Sequence, residues 1–164
     1  LGIFSNLSDW EWCKIKIYIL QGIPGSGKSY HATSLDSTAV ICSADNYPGL
    51  YPPGGGFNAA LLGQAHGACF RTAVEAVQAD RSVIVDNTSL TVVEMAPYVA
   101  LAQAYNAAPI IIRVQCDPKV ALARNKHGVP PAAHAAMAKR LEEFVFPPYW
   151  RFIPGFEYKK VKGS

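Results

Sequence analysis

Ile15-Lys16-Ile17-Tyr18-Ile19-Leu20-Gln21 runs directly into Gly22-Ile23-Pro24-Gly25-Ser26-Gly27-Lys28-Ser29, and the reading of this stretch decides the fold. The first part is a short apolar run rich in β-branched residues, the pattern of a buried strand. The second fits G-x-x-x-x-G-K-[ST], the loop that wraps phosphate. Glycines at 22, 25 and 27, with Pro24 and Ser26 between them, let the backbone curl until successive N–H groups face an anion. A helix starting near Lys28 adds its positive N-terminal end. Lys28 then reaches the β- and γ-phosphates, and the Ser29 hydroxyl ligates Mg²⁺. A glycine-rich turn arising by chance would not be preceded by a strand and followed by a helix-compatible stretch. The loop implies a bound nucleoside triphosphate.

The chain has 164 residues, half of them hydrophobic and 16% charged. That length suits one domain with a proper core, and the composition suits a compact protein rather than a disordered one. No apolar run approaches the roughly 20 residues that span a bilayer, so no membrane partner is expected. The start carries acids where a secretory leader would be basic. Cys13, Cys42, Cys69 and Cys116 are scattered, with no C-x-x-C pair to suggest zinc. Reduced thiols and a cytoplasmic setting are the simplest expectation. A net charge of +3 neither demands nor opposes a nucleic-acid partner.

Along the chain, residues 1–14, with Trp10 and Trp12, show no period and receive no function. A first helix is expected from Lys28 to about Ser34. Ala39 to Ser43 reads as a second buried strand, with Ala44-Asp45-Asn46-Tyr47 at its C-terminal edge. Ligands of open α/β sheets sit beyond that edge, so Asp45 would share the crevice with the phosphate loop. There it could take the proton of an attacking hydroxyl, or it could serve as an Asx-turn or helix cap. Pro48 to Gly56 is too rich in Pro and Gly for a regular element. A long amphipathic helix follows from Phe57-Asn58 to about Ala79. It carries His66, a residue type more often structural than catalytic in such a place.

Ser82 to Asp86 reads as the third strand. Asp86 stands at its ligand edge, where P-loop proteins carry an acid that serves Mg²⁺. Ser89 to Glu94 leads into a helix ending near Asn106, and Pro109 to Gln115 is the fourth strand. Helices are expected from Pro118 to Lys126 and from Pro131 to Phe144, separated by Gly128-Val129-Pro130. Alternating strands and helices predict an α/β fold with a mostly parallel sheet covered on both faces. The polar, basic stretch Arg124-Asn125-Lys126-His127-Gly128 has the composition of a small lid. It could equally be a solvated helix end. Lys159-Lys160-Val161-Lys162 reads as part of a basic tail over residues 159–164, after a single domain over residues 15–158.

Taken in order, Gly-x-Pro-Gly-Ser-Gly-Lys-Ser, Ser-Ala-Asp-Asn-Tyr, Phe-Asn, Ala-His, Val-Ile-Val-Asp-Asn-Thr and Arg-Asn-x-His-Gly-Val resemble the polynucleotide-kinase-like branch of P-loop kinases. That branch includes phage-type polynucleotide 5′-kinases and the kinase-like domain of a ubiquitin-ligase-binding protein. The similarity spans about Ile15 to Glu143. It implies a P-loop kinase fold with a small lid, ATP and Mg²⁺ as cofactors, and Lys28 and Ser29 in the phosphate and metal roles. It further implies Asp45 as general base, Asp86 as the acid serving the metal, and Arg124 on ATP from the lid. The sequence departs from the phage enzymes at Pro48, where they place an arginine that holds an acceptor phosphate. It departs again at His127, where they offer an arginine after Lys126.

The expected activity is ATP-dependent phosphoryl transfer to a hydroxyl on nucleic acid, DNA before RNA. A polynucleotide 5′-hydroxyl leads. The hydroxymethyl group of 5-hydroxymethyluracil in DNA, as in small phage DNA kinases, and a nucleoside-type small molecule are the alternatives. A module that uses ATP as a switch and phosphorylates nothing is the alternative of another class.

Overall fold

The computed structural model describes residues 14–163. Trp10, Trp12 and Cys13, in the lead segment read above as without function, lie outside that range. The elements run β1 (Lys16–Gln21), α1 (Lys28–Leu35), β2 (Val40–Cys42), α2 (Leu62–Gln78), β3 (Val83–Val85), α3 (Val92–Ala104), β4 (Ala108–Gln115), α4 (Pro118–Ala123), α5 (Pro131–Glu142) and β5 (Glu157–Lys162). Short 3₁₀ turns at Ala44–Asn46, Ala59–Leu61 and Pro148–Phe152 join them.

The strands form one parallel sheet in the order β2-β3-β1-β4-β5. Pleating splits β1 between two cores. Ile17 and Ile19 join Val83, Val85 and Ile111 beneath α2 and α3, while Tyr18 and Leu20 join Ile84, Ile110, Ile112 and the α1 residue Ala32. Ile17, Ile19 and Leu20 are fully withdrawn from solvent, and each contributes about 1.5–3 kcal/mol of apolar burial. Because β1 lies between β3 and β4, the chain leaves its C-terminal end at the point where the strand order reverses. A crevice opens there in folds of this kind.

Local chemistry explains where helices begin. Thr91 and Glu94 form a reciprocal capping box: Glu94 N–H donates to Thr91 Oγ1 at 3.3 Å and Thr91 N–H to Glu94 Oε2 at 2.8 Å. Asp117 accepts from the N–H groups of Lys119 and Val120, with Pro118 just inside α4.

Several expectations need correction. The second strand is not buried throughout: among the described residues β2 is an edge strand paired only to β3, and Ile41 is 41% exposed. The helix after β4 stops at Ala123, so Arg124 is its C-cap rather than an interior residue. The basic tail from Lys159 is the greater part of β5, hydrogen-bonded in parallel to β4 from Ile110↔Glu157 to Gln115↔Lys162. Tyr158 and Val161 each pack against a different core, while the charged residues between them stay exposed. Charged side chains on an edge strand discourage pairing with other chains, and here they obscure the strand's apolar alternation. Ahead of β5, Phe146, Trp150 and Phe156 cover the end of the larger core, with ring centroids 5.5 Å (Phe146–Phe156) and 6.2 Å (Trp150–Phe156) apart.

Candidate active site

The loop between β1 and α1 owes its shape to backbone geometry that its glycines allow. Gly25 and Gly27 have φ of 80° and 94°, the left-handed region open to glycine without strain. Gly25 also packs so tightly on the carbonyl of Ala121 in α4 that a Cβ would collide with it. Gly22 N–H donates to Thr88 O at 3.0 Å and Ser26 N–H to Ile23 O at 3.1 Å. The Lys28 ammonium folds back over the loop and donates to Ile23 O at 3.0 Å. Burial pushes its pKa down, against the opposing fields of Asp86 and then Asp45.

Three further elements hold the loop from behind. His134 of α5, 2% exposed, brings Nε2 to 2.9 Å from Pro24 O, so that nitrogen carries the hydrogen. A Cβ on Gly22 would meet Ser26 Oγ at 2.7 Å and the β4 carbonyl of Val114 at 3.0 Å. Gly163, just past β5, donates its N–H to Gln115 O at 2.7 Å and packs against the Ser26 carbonyl.

In front of the loop lies a cavity of about 660 Å³, lined among others by Pro24, Gly25, Gly27, Lys28, Ser29, Asp45, Asp86 and Arg124. These expected site residues therefore share one space. Gly22 and Ser26 lie behind it. Asp86, 8% exposed, is fixed at the end of β3 by its N–H to Cys42 O at 2.8 Å and by Ser43 Oγ donating to its carbonyl at 2.9 Å.

Asp45 stands in the 3₁₀ turn after β2. The capping role open to it belongs to Ser43, whose Oγ accepts from Asp45 N–H at 3.3 Å. The carboxylate instead faces the cavity. Tyr51 OH donates to Oδ1 at 3.3 Å, and His127 Nε2 lies 3.5 Å from Oδ2. Desolvation, and then the charge of Asp45, push the Tyr51 phenol up to about 12. The preceding backbone is pinned by Asn87, whose Oδ1 accepts from Ala44 N–H at 2.9 Å while its Nδ2 points at Cys69 Sγ, 3.5 Å away.

Sequence reasoning missed Tyr51, Asn87 and His134 as parts of this site. Tyr51 was hidden in a loop whose Pro and Gly content drew attention to the backbone. Asn87 follows Asp86 in a stretch already singled out and was the most legible of the three. His134 sits in an alanine-rich helix with nothing nearby to mark it.

The cavity suits a magnesium triphosphate. The curled backbone of the loop, through Gly25 and Gly27, and the Lys28 ammonium that sits across it both line the cavity. Among the described residues no group of three or more His, Cys, Asp or Glu could hold a metal unaided. Ser29 and Asp86 would supply two oxygens and leave the other positions to phosphate and water, the usual habit of Mg²⁺.

Residues 17–144 match the family model AAA_33, described as an AAA domain. The chain belongs to this family. Human NEDD4-binding protein 2 is 35% identical to it over 144 residues, which is 80% of this chain and 8% of that protein. The chain thus spans under a tenth of the curated relative it matches. Among solved structures, a Chloroflexus aurantiacus protein assigned as a kinase has a TM-score of 0.65 at 17% identity, covering 91% of this chain and 88% of that one. The Pnkp1/Rnl/Hen1 complex gives 0.57 at 18%, covering 71% and 40%. Mycobacterium tuberculosis APS kinase CysC, solved with AMPPNP and APS, gives 0.55 at 17%, covering 88% of each chain. This AAA-family chain therefore has a P-loop kinase-like fold, and neighbours in that fold act on chemically different acceptors. No helix among the described residues is long and apolar enough to cross a membrane.

Proposed function

We propose that this chain is an ATP-dependent phosphotransferase whose acceptor is a hydroxyl on nucleic acid, with a polynucleotide 5′-hydroxyl as the leading case and DNA preferred to RNA. The observation that carries the reading is Asp45. A carboxylate 46% exposed faces the cavity that the phosphate loop lines, and no cap or core requires it there. An ATP switch would need no such acid.

The chemistry divides between the walls. Lys28, the loop N–H groups and Arg124 hold and neutralise the triphosphate, and Asp45 orients the acceptor hydroxyl in line with the γ-phosphorus. As the hydroxyl oxygen bonds to phosphorus and the bond to the β-phosphate oxygen breaks, Asp45 takes the hydroxyl proton and ADP leaves. Ser29 and Asp86 would hold Mg²⁺, which when bound would supply neutralising charge to the phosphates. Support for nucleic acid comes from the resemblance to polynucleotide kinases and from the Pnkp1-containing neighbour.

Pro48 gives the modified-base reading its own support, because an acceptor loop without the phosphate-holding arginine suits a base-borne hydroxyl. The test supplies γ-labelled ATP and Mg²⁺ with 5′-hydroxyl DNA and RNA, 5′-phosphorylated DNA containing 5-hydroxymethyluracil, and free nucleosides. Label on 5′-hydroxyl strands that falls at least about 10²-fold in Asp45→Asn is the expected result. Label only on the blocked, modified DNA would move the acceptor to the base. Hydrolysis of ATP with no labelled acceptor would overturn the proposal in favour of the switch.

A further inference from the structure

The loop after β2 and the turn after α4 meet over Asp45 in an arrangement that phosphate chemistry does not require. Tyr51 is its centre. Its hydroxyl donates to Asp45 Oδ1, and its ring lies 5.6 Å from that of Phe57 and 4.6 Å from that of His127, centroid to centroid. The Tyr51 and His127 planes are inclined by 34°, a tilted ring-on-ring contact. His127 Nε2 meanwhile lies 3.5 Å from Asp45 Oδ2. A flat nitrogen heterocycle therefore rests on Tyr51 and presents a polar ring atom to the carboxylate that would receive the acceptor.

Charge distribution adds a second, independent argument. From Pro48 to Phe57 the loop has no ionisable side chain except the Tyr51 phenol. The cavity's cations, Lys28, Arg124, Lys126 and Arg140, come from the phosphate loop, the turn after α4, and α5. The loop beside Asp45 thus offers ring faces, with Phe57 48% exposed, and itself brings no cation for a phosphate. Stacking on aromatic rings accepts any base, because every base has a π-face.

We infer that His127 stands in the acceptor's place, and that the group recognised here is a planar nitrogen heterocycle which displaces the imidazole when it binds. The inference builds on the acceptor role of this cavity proposed above. Displacement frees Oδ2 of Asp45 for the incoming hydroxyl, while Oδ1 keeps its bond from Tyr51, which remains as the platform beneath the ring. His127 then acts as a positioning residue: it keeps the turn seated over the site until a ring replaces it.

The test is a binding measurement and needs no phosphoryl transfer. Thymidine and deoxyadenosine are titrated by NMR into wild type, His127→Ala, Tyr51→Leu and Tyr51→Phe, with 1,2-dideoxyribose as the ring-free control. His127→Ala should bind the nucleosides about tenfold tighter, and Tyr51→Leu about tenfold weaker or worse. Tyr51→Phe, which keeps the ring and loses only the bond to Asp45, should retain binding, and the ring-free sugar should respond to none of the changes. Weaker nucleoside binding in His127→Ala would overturn the stand-in role. Equal binding of sugar and nucleoside would overturn ring recognition. Nucleoside binding as expected, with no labelled acceptor in the transfer assay, would uphold this inference and defeat the kinase reading alone.

Discussion

The two walls of the cavity are built by opposite means. On the phosphate side, Gly25 touches α4, His134 bonds Pro24, and Gly163 backs Ser26, so the loop is braced by several elements at once. On the Asp45 side, one buried leucine, Leu50, anchors a loop that is otherwise half-buried or exposed, through Asn58 N–H donating to its carbonyl at 2.9 Å. A triphosphate is the same in every reaction and rewards a rigid cradle. An acceptor varies among relatives of one fold, and a lightly anchored wall can be rebuilt without unsettling the sheet.

Breaking the braced wall should have the largest effect. Lys28→Met should lower turnover by about 10³-fold or more, read by labelled-phosphate transfer, since it removes the cation on the transferring group. The same variant should melt about 2 °C higher or more, because an ammonium disfavoured by burial is gone. The sign follows from linkage. Between the lowered folded pKa and the ordinary 10.5, the unfolded chain binds more protons, so wild-type stability rises with pH there. The gap in melting temperature between the two proteins should accordingly narrow as pH approaches 10.5.

Arg124→Ala comes next, with an expected fall in kcat of about 10²-fold and a melting temperature within about 1 °C of wild type. Unchanged kcat would remove Arg124 from the chemistry. His134→Ala separates brace from catalyst. It leaves Pro24 O buried without its donor, which costs about 1–3 kcal/mol in denaturant unfolding. It should raise the KM for ATP several-fold and leave the acceptor KM alone. The mildest change is Phe57→Leu, on the lightly anchored wall. It should shift the acceptor KM about two- to threefold with ATP kinetics and stability unaltered, and a change in ATP KM would show that the walls are coupled.

How much of this could be read from the chain depends on where the information lies. The phosphate loop was legible because backbone curvature, a cation and a hydroxyl must fall at fixed spacing. The order of β1, α2, β3, α3 and β4 was legible because each keeps an apolar run or period, and α1 because it must follow the phosphate loop. β5 was not, since its lysines occupy the places where alternation would show. The edge position of β2 was not either, because neighbours in a parallel sheet are set by crossovers rather than by local pattern. Asp45 could be named but not assigned between cap and cavity until Ser43 was seen to cap the turn. His134 and Tyr51 act through partners 110 and 6 positions away, and neither leaves a periodic mark.

The packing of Gly163 on the Ser26 carbonyl also sets a schedule for biosynthesis. Residues 22–29 leave the ribosome well before the strand that backs them, which is made some 130 residues later. At about 5–20 residues per second, the nucleotide cradle of the growing chain waits at least several seconds for its last support. A ribosome stalled after β4 has emerged but before Glu157 is added would display an almost complete sheet whose β4 edge lies bare.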